Sequence, residues 1–197
     1  MCREMTPWEK AVDFHGHVCP GLTLGYRAAM AAMEHFGEGR SEDEEMVSIV
    51  ETDACGVDAI QVVTGCTFGK GNLVYRDMGK QVFSFGFRGR PEGLRVALKY
   101  GSPPKFAPPE WDELREKVSK GEAGEEEKAR YRQLHDDFIN RLLEAPLEEL
   151  METKTVEMEL PFKAQIHQSV KCDSCGEGVM EPRAEQKGDM VVCKDCI

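Results

Sequence analysis

Apolar positions recur at two different periods along the chain, and the changes of period mark out its elements. At helical spacing Trp8, Ala11 and Val12 predict a short helix over residues 6–13, with Thr6 as N-cap and Pro7 in the first turn. Leu22, Tyr26, Met30 and Met33 form the stripe of a second helix over about 21–35. Most of its other positions are alanine, which implies close packing on more than one side. Residues 46–53 are rich in β-branched side chains and predict a strand, after which Val57, Ala59, Ile60 and Val63 return to helical spacing. Residues 73–76 and 81–88, split by a turn at 77–80, predict an antiparallel hairpin.

Residues 91–100 present a broad apolar face read as a helix, and the proline pairs at 103–104 and 108–109 mark a loop. Two helices are expected next, over 110–119 and 125–144. On the second, Tyr131, Leu134, Phe138 and Leu142 make a narrow stripe fit for the core or for a second copy of the chain. Pro146 starts a last short helix, and 155–160 alternates like an edge strand. Strands with flanking helices in this order predict an α+β fold, with helices packed on a mixed or antiparallel sheet.

Composition narrows the function classes. The net charge of −11 and a pI near 5.0 argue against nonspecific binding to nucleic acid or an anionic membrane, both of which need a basic surface. The opening ten residues contain no apolar leader core, and no stretch reaches the roughly 18 apolar residues of a spanning helix. A cytoplasmic protein is expected. Of its eight cysteines, four fall in two CxxC pairs near the end and three in glycine-bearing motifs, a usage that suits metal or thiol chemistry in a reducing compartment.

The strongest chemical signal is Cys172, Cys175, Cys193 and Cys196, two pairs separated by 17 residues. Four thiolates at this spacing make a closed structural zinc site, in a treble-clef or a ribbon-like finger. A 1–160 core domain and a 161–197 zinc-finger domain are therefore expected. The second signal is Phe-His-Gly-His-Val-Cys-Pro-Gly at 14–21. Pro20 belongs in a first helical turn, so Cys19 should be an N-cap, where the helix dipole favours a thiolate. With His15 and His17 two residues apart, the segment offers either transition-metal ligands or a Cys–His nucleophile pair. Cys55, in Asp-Ala-Cys-Gly at 53–56, stands at a strand-to-helix junction in the same electrostatic setting. The loop Thr-Gly-Cys-Thr-Phe-Gly-Lys-Gly-Asn at 64–72 adds Cys66 and Lys70, a nucleophile and a cation able to hold an anion; its spacing is not that of a P-loop.

These three motifs, in this order and with a terminal finger, resemble the family named for the E component of formylmethanofuran dehydrogenase. The resemblance covers roughly residues 14–75 and 172–196. It implies an α+β core, commonly dimeric, with a metal-binding site lined by His15, His17, Cys19, Cys55 and Cys66 and with Asp53, Asp58, Gln61 and Lys70 beside it. Two functions follow from it. One is an accessory or metal-handling protein of a molybdenum or tungsten dehydrogenase, a homodimer able to meet the dehydrogenase subunits. The other is a stand-alone metal- or thiol-dependent enzyme, redox or hydrolytic. In that second reading His17 and two or three of Cys19, Cys55 and Cys66 hold a second metal, zinc by its ligands, with Asp58 or His15 as proton acceptor.

Overall fold

Five consecutive buried residues, Met46–Val50 (β1), organise the larger part of the molecule. The computed structural model describes residues 4–197, which fall into two units, one ending at Phe162 and the other running from Lys163 to Ile197. In the first unit β1 pairs parallel with Leu73–Tyr75 (β2) and antiparallel with Val82–Phe87 (β3). Glu92–Leu98 (β4) and Met151–Glu157 (β5) extend the sheet in the order β2-β1-β3-β4-β5. The result is the expected α+β fold with a mixed sheet.

Six α-helices accompany the sheet among the described residues: α1 (Pro7–His15), α2 (Pro20–Phe36), α3 (Gly56–Thr64), α4 (Trp111–Lys120), α5 (Glu125–Glu144) and α6 (Leu147–Leu150). The alanine face of α2 supplies Ala28, Ala29 and Ala32 to the same core as Phe83, Phe85, Leu94 and Val96 of the sheet. Small residues let backbones meet. A methyl group on Gly25 of α2 would stand 2.2 Å from the carbonyl oxygen of Gly56, so α2 and α3 cross in direct main-chain contact. On the other side of α2, Arg27 donates to the carbonyls of Leu142, Leu143 and Ala145, satisfying the C-terminal end of α5.

Two sequence expectations are corrected. Residues 91–100 form strand β4, not a helix: Leu94 and Val96 alternate with half-buried Arg95 and Ala97, and the strand pairs on both sides, with β3 and β5. The broad apolar face fitted either period, and pairing decided it. The segments 73–76 and 81–88 do not form a hairpin, because both pair with β1 from opposite sides. With α3 as the crossover, β1 and β2 instead make the one parallel pair of the sheet.

The second unit consists of two short hairpins, Ser169–Lys171 with Gly178–Met180 and Glu185–Lys187 with Met190–Val192, and a final 3-10 turn, Lys194–Cys196. No α-helix follows the second CxxC pair, so the finger is the ribbon-like of the two forms. No helix among the described residues is long and apolar enough to cross a membrane.

Candidate metal centre and adjoining cavity

The helix boundaries place the core donors. Thr6 caps α1 through a reciprocal capping box with Glu9, and the helix continues to His15, where Gly16 closes it at a φ of 85°. His15 is therefore the last residue of a helix, two residues beyond the expected end. Two extended residues further on, Cys19 caps α2, its sulfur accepting the N–H of Leu22 at 3.4 Å. The sharp turn folds the imidazoles of His15 and His17 together, with ring centres 4.4 Å apart.

His15, His17 and Cys19 offer donor atoms that all lie within 4.8 Å of one another. Nε2 of His15 is 3.8 Å from the Cys19 sulfur, near the edge of about 3.5 Å for a tetrahedron with ordinary zinc–nitrogen and zinc–sulfur bonds. The Nδ1–H of His15 is directed at Oδ2 of Asp58, 2.7 Å away. That carboxylate fixes the tautomer and leaves the Nε2 lone pair facing Cys19. Gln61 in turn donates to Asp58, at 3.4 Å, so two residues of α3 orient the histidine from behind.

The other sequence candidates divide. Cys55 stands beside Cys19: a methyl on Gly21 would meet both sulfurs, at 3.8 and 3.9 Å, so glycine is needed between the thiols. It is outside the three-donor cluster. Cys66 is not brought to the site. It is fully buried beyond the far end of α3, with its thiol donating to the Met46 carbonyl at 3.3 Å, and burial raises its pKa. Lys70 is also elsewhere, donating to the carbonyls of Ser41, Glu42 and Asp43. Asp53 is exposed in the connection between β1 and α3.

One expectation about charge is reversed. Burial raises the pKa of Cys19, outweighing the N–H of Leu22, and the neighbouring Cys55 adds to the rise. The helix start alone does not produce a thiolate here.

On the open side of the cluster lies a cavity of about 560 Å³. His17 and Cys19 form part of its wall; Trp111, Tyr131, His135 and Phe138 form another. Trp111 stacks on Tyr131 at 5.0 Å and meets Phe138 edge-on at 5.1 Å. Sequence reasoning did not connect these residues to the motifs. The available signal was His135, an imidazole four residues after Tyr131 and three before Phe138 on an otherwise aromatic stripe.

In the finger, the four cysteines gather with all sulfurs within 4.8 Å, and Cys175 and Cys193 are 3.9 Å apart. A tetrahedral zinc site has sulfur–sulfur edges of about 3.8 Å. Main-chain N–H groups, that of Cys175 foremost, lower the Cys172 thiol to about 6.

Comparison with known proteins agrees with this geometry. Residues 14–152 match the family model described as "FmdE, Molybdenum formylmethanofuran dehydrogenase operon". The chain belongs to the FmdE family. The FmdE region contains both the three-donor cluster and the aromatic cavity wall. Residues 168–196 match the prokaryotic dksA/traR C4-type zinc finger, in keeping with a structural zinc on the four cysteines. A crystal structure of an FmdE-like protein of tungsten formylmethanofuran dehydrogenase from Syntrophus aciditrophicus superposes with a TM-score of 0.61 at 25% identity, covering 95% of this chain and 88% of that one. A curated Archaeoglobus fulgidus protein named "Probable S-adenosyl-L-methionine-binding protein" is 34% identical over 181 residues, 89% of this chain. The chain spans about half of that relative's length, 49%.

Proposed function

We propose that the core is a metal-dependent small-molecule site. A zinc-class divalent ion would be held by Nε2 of His15, an imidazole nitrogen of His17 and the thiolate of Cys19, with one position left for a ligand in the cavity. The observation that carries this reading is the 2.7 Å contact of His15 with Asp58, the carboxylate–histidine arrangement that supports metal ligands, with Nε2 turned toward Cys19. Three protein donors, two of them in the cavity wall, favour an open site over a closed one. A bound ion supplies Lewis acidity there. The residues of the chain supply the rest: Asp58 holds the imidazole, Cys19 gives up its proton on loading, and the aromatic wall shields the ligand from water.

This arrangement supports the stand-alone enzyme or ligand-binding role more than an accessory one. Association with molybdenum or tungsten dehydrogenase subunits is a second reading, and it rests on the family's name. The Archaeoglobus relative suggests one candidate ligand, S-adenosyl-L-methionine.

The test is metal analysis of protein purified without added metal. Two equivalents are expected, falling to one in Cys19→Ser or His17→Ala with the finger's metal intact, while Asp58→Ala weakens core binding about 10- to 100-fold. If those three variants all retain both equivalents, the core site does not exist.

A further inference from the structure

The cavity wall carries two charges that metal binding leaves unused. Asp112 and Arg115, one turn apart on α4, line both the cavity and an adjoining surface hollow of about 250 Å³. Elsewhere α4 pairs its charges: Lys117 meets Glu113 and Glu127, and Lys120 meets Glu116. The side chains of Asp112 and Arg115 have no hydrogen-bond or ion-pair partner among the described residues, nor do they pair with each other.

Groups three apart on a helix are neighbours, about 5–6 Å between Cβ atoms. A simple anion here would meet the Asp112 carboxylate as well as the Arg115 guanidinium, in a chain whose net charge is already −11. A simple cation would meet Arg115, and a neutral head would leave both charges unsatisfied. A dipolar head satisfies both, because guanidinium forks onto a carboxylate and a carboxylate accepts from an ammonium.

We propose that Asp112 and Arg115 recognise the zwitterionic head of an α-amino acid whose flat ring lies against Trp111, Tyr131 and Phe138. The α-carboxylate binds Arg115 and the α-ammonium binds Asp112. The rings and Pro103, Pro104 and Pro20 enclose the remainder of the ligand. The inference rests on the cavity's binding a small molecule, and not on the metal.

Calorimetric titration of the full chain with tryptophan, 3-indolepropionate and tryptamine tests it, since the last two each lack one charge of the head. Tryptophan should bind, and each analogue should bind roughly three- to tenfold more weakly, the range for exposed charge contacts. Arg115→Gln should remove the discrimination against tryptamine, and Asp112→Asn that against indolepropionate. Both residues are exposed and unpartnered, so the variants should keep the wild-type circular dichroism spectrum. Equal affinity for all three compounds would overturn the head-group inference and leave the cavity reading standing. No binding by any of them would overturn both.

Discussion

The finger and the core each gather soft metal donors within 4.8 Å, yet they hold them by opposite means. In the finger the donors are four thiols on two knuckles, and within that unit only Cys172 and Val192 are buried. In the core the donors are two imidazoles and one thiol at the ends of helices whose packing is already complete, with Ala11, Leu22 and Ala59 fully buried behind them. A four-thiolate set closes its tetrahedron and leaves no position for chemistry, while a three-donor set beside a cavity leaves one. The finger needs its metal to fold; the core's fold prepares a place for a metal.

Metal removal should divide the two regions most sharply. A unit with so little apolar burial draws its folding free energy from zinc, about 10–16 kcal/mol for such sites at neutral pH. Under a strong chelator, or in Cys172→Ser, amide protection should vanish across 163–197 and persist in α2, α3 and β1. Protected finger amides in metal-free protein would break the contrast.

The reverse experiment damages the core and spares the finger. The main-chain contact of α2 and α3 leaves no room for a side chain at Gly25, where a methyl would lie 2.2 Å from the Gly56 oxygen. Gly25→Ala should cost about 1–3 kcal/mol, the range for overpacking, and should move Cys19 relative to Asp58. Core metal should fall while finger metal is unchanged. Gly39→Ala, with nothing within 4 Å, serves as the control. Denaturant midpoints and metal content report both effects. A Gly25→Ala protein with wild-type midpoint and metal load would show that the helix crossing does not set the site.

Legibility followed the range of the interactions. His15, His17 and Cys19 were readable because their punctuation is local: Pro20 fixes the start of α2, and Gly16 ends α1. The finger was readable from spacing for the same reason. The partners of β2 and β3 were not, because a turn signal at 77–80 says nothing about β1, which both strands choose over each other. Cys66 shared a glycine-rich motif style with the site residues, but the length of α3 separates it from Cys55. The cavity was hidden most completely. Its aromatic wall comes from α4 and α5, roughly a hundred residues further along, and a stripe of rings reads as core until its neighbour is known.

The smallest expected effect concerns acid, which should reach the two regions by different routes. In the finger, acid protonates thiolates and releases metal. In the core it acts on Glu45, just before β1, whose Oε2 accepts from the Ser41 hydroxyl at 2.6 Å and from the Asp43 N–H at 3.0 Å. These bonds, that from Ser41 first, lower its pKa from 4.5 to about 2. A carboxyl whose pKa is lower when folded binds its proton more readily when unfolded. Its stabilisation is thus complete above pH 4.5 and is lost as the pH falls toward about 2. Glu45→Gln removes the charge and, with it, that pH dependence. The variant should be slightly less stable than wild type at pH 7, with a difference that shrinks below pH 4.5 and closes near pH 2. Urea titrations of the core transition at pH 7, 5 and 3 read this directly. A difference that stayed constant across that range would assign the loss to packing at the turn and not to the charge of Glu45.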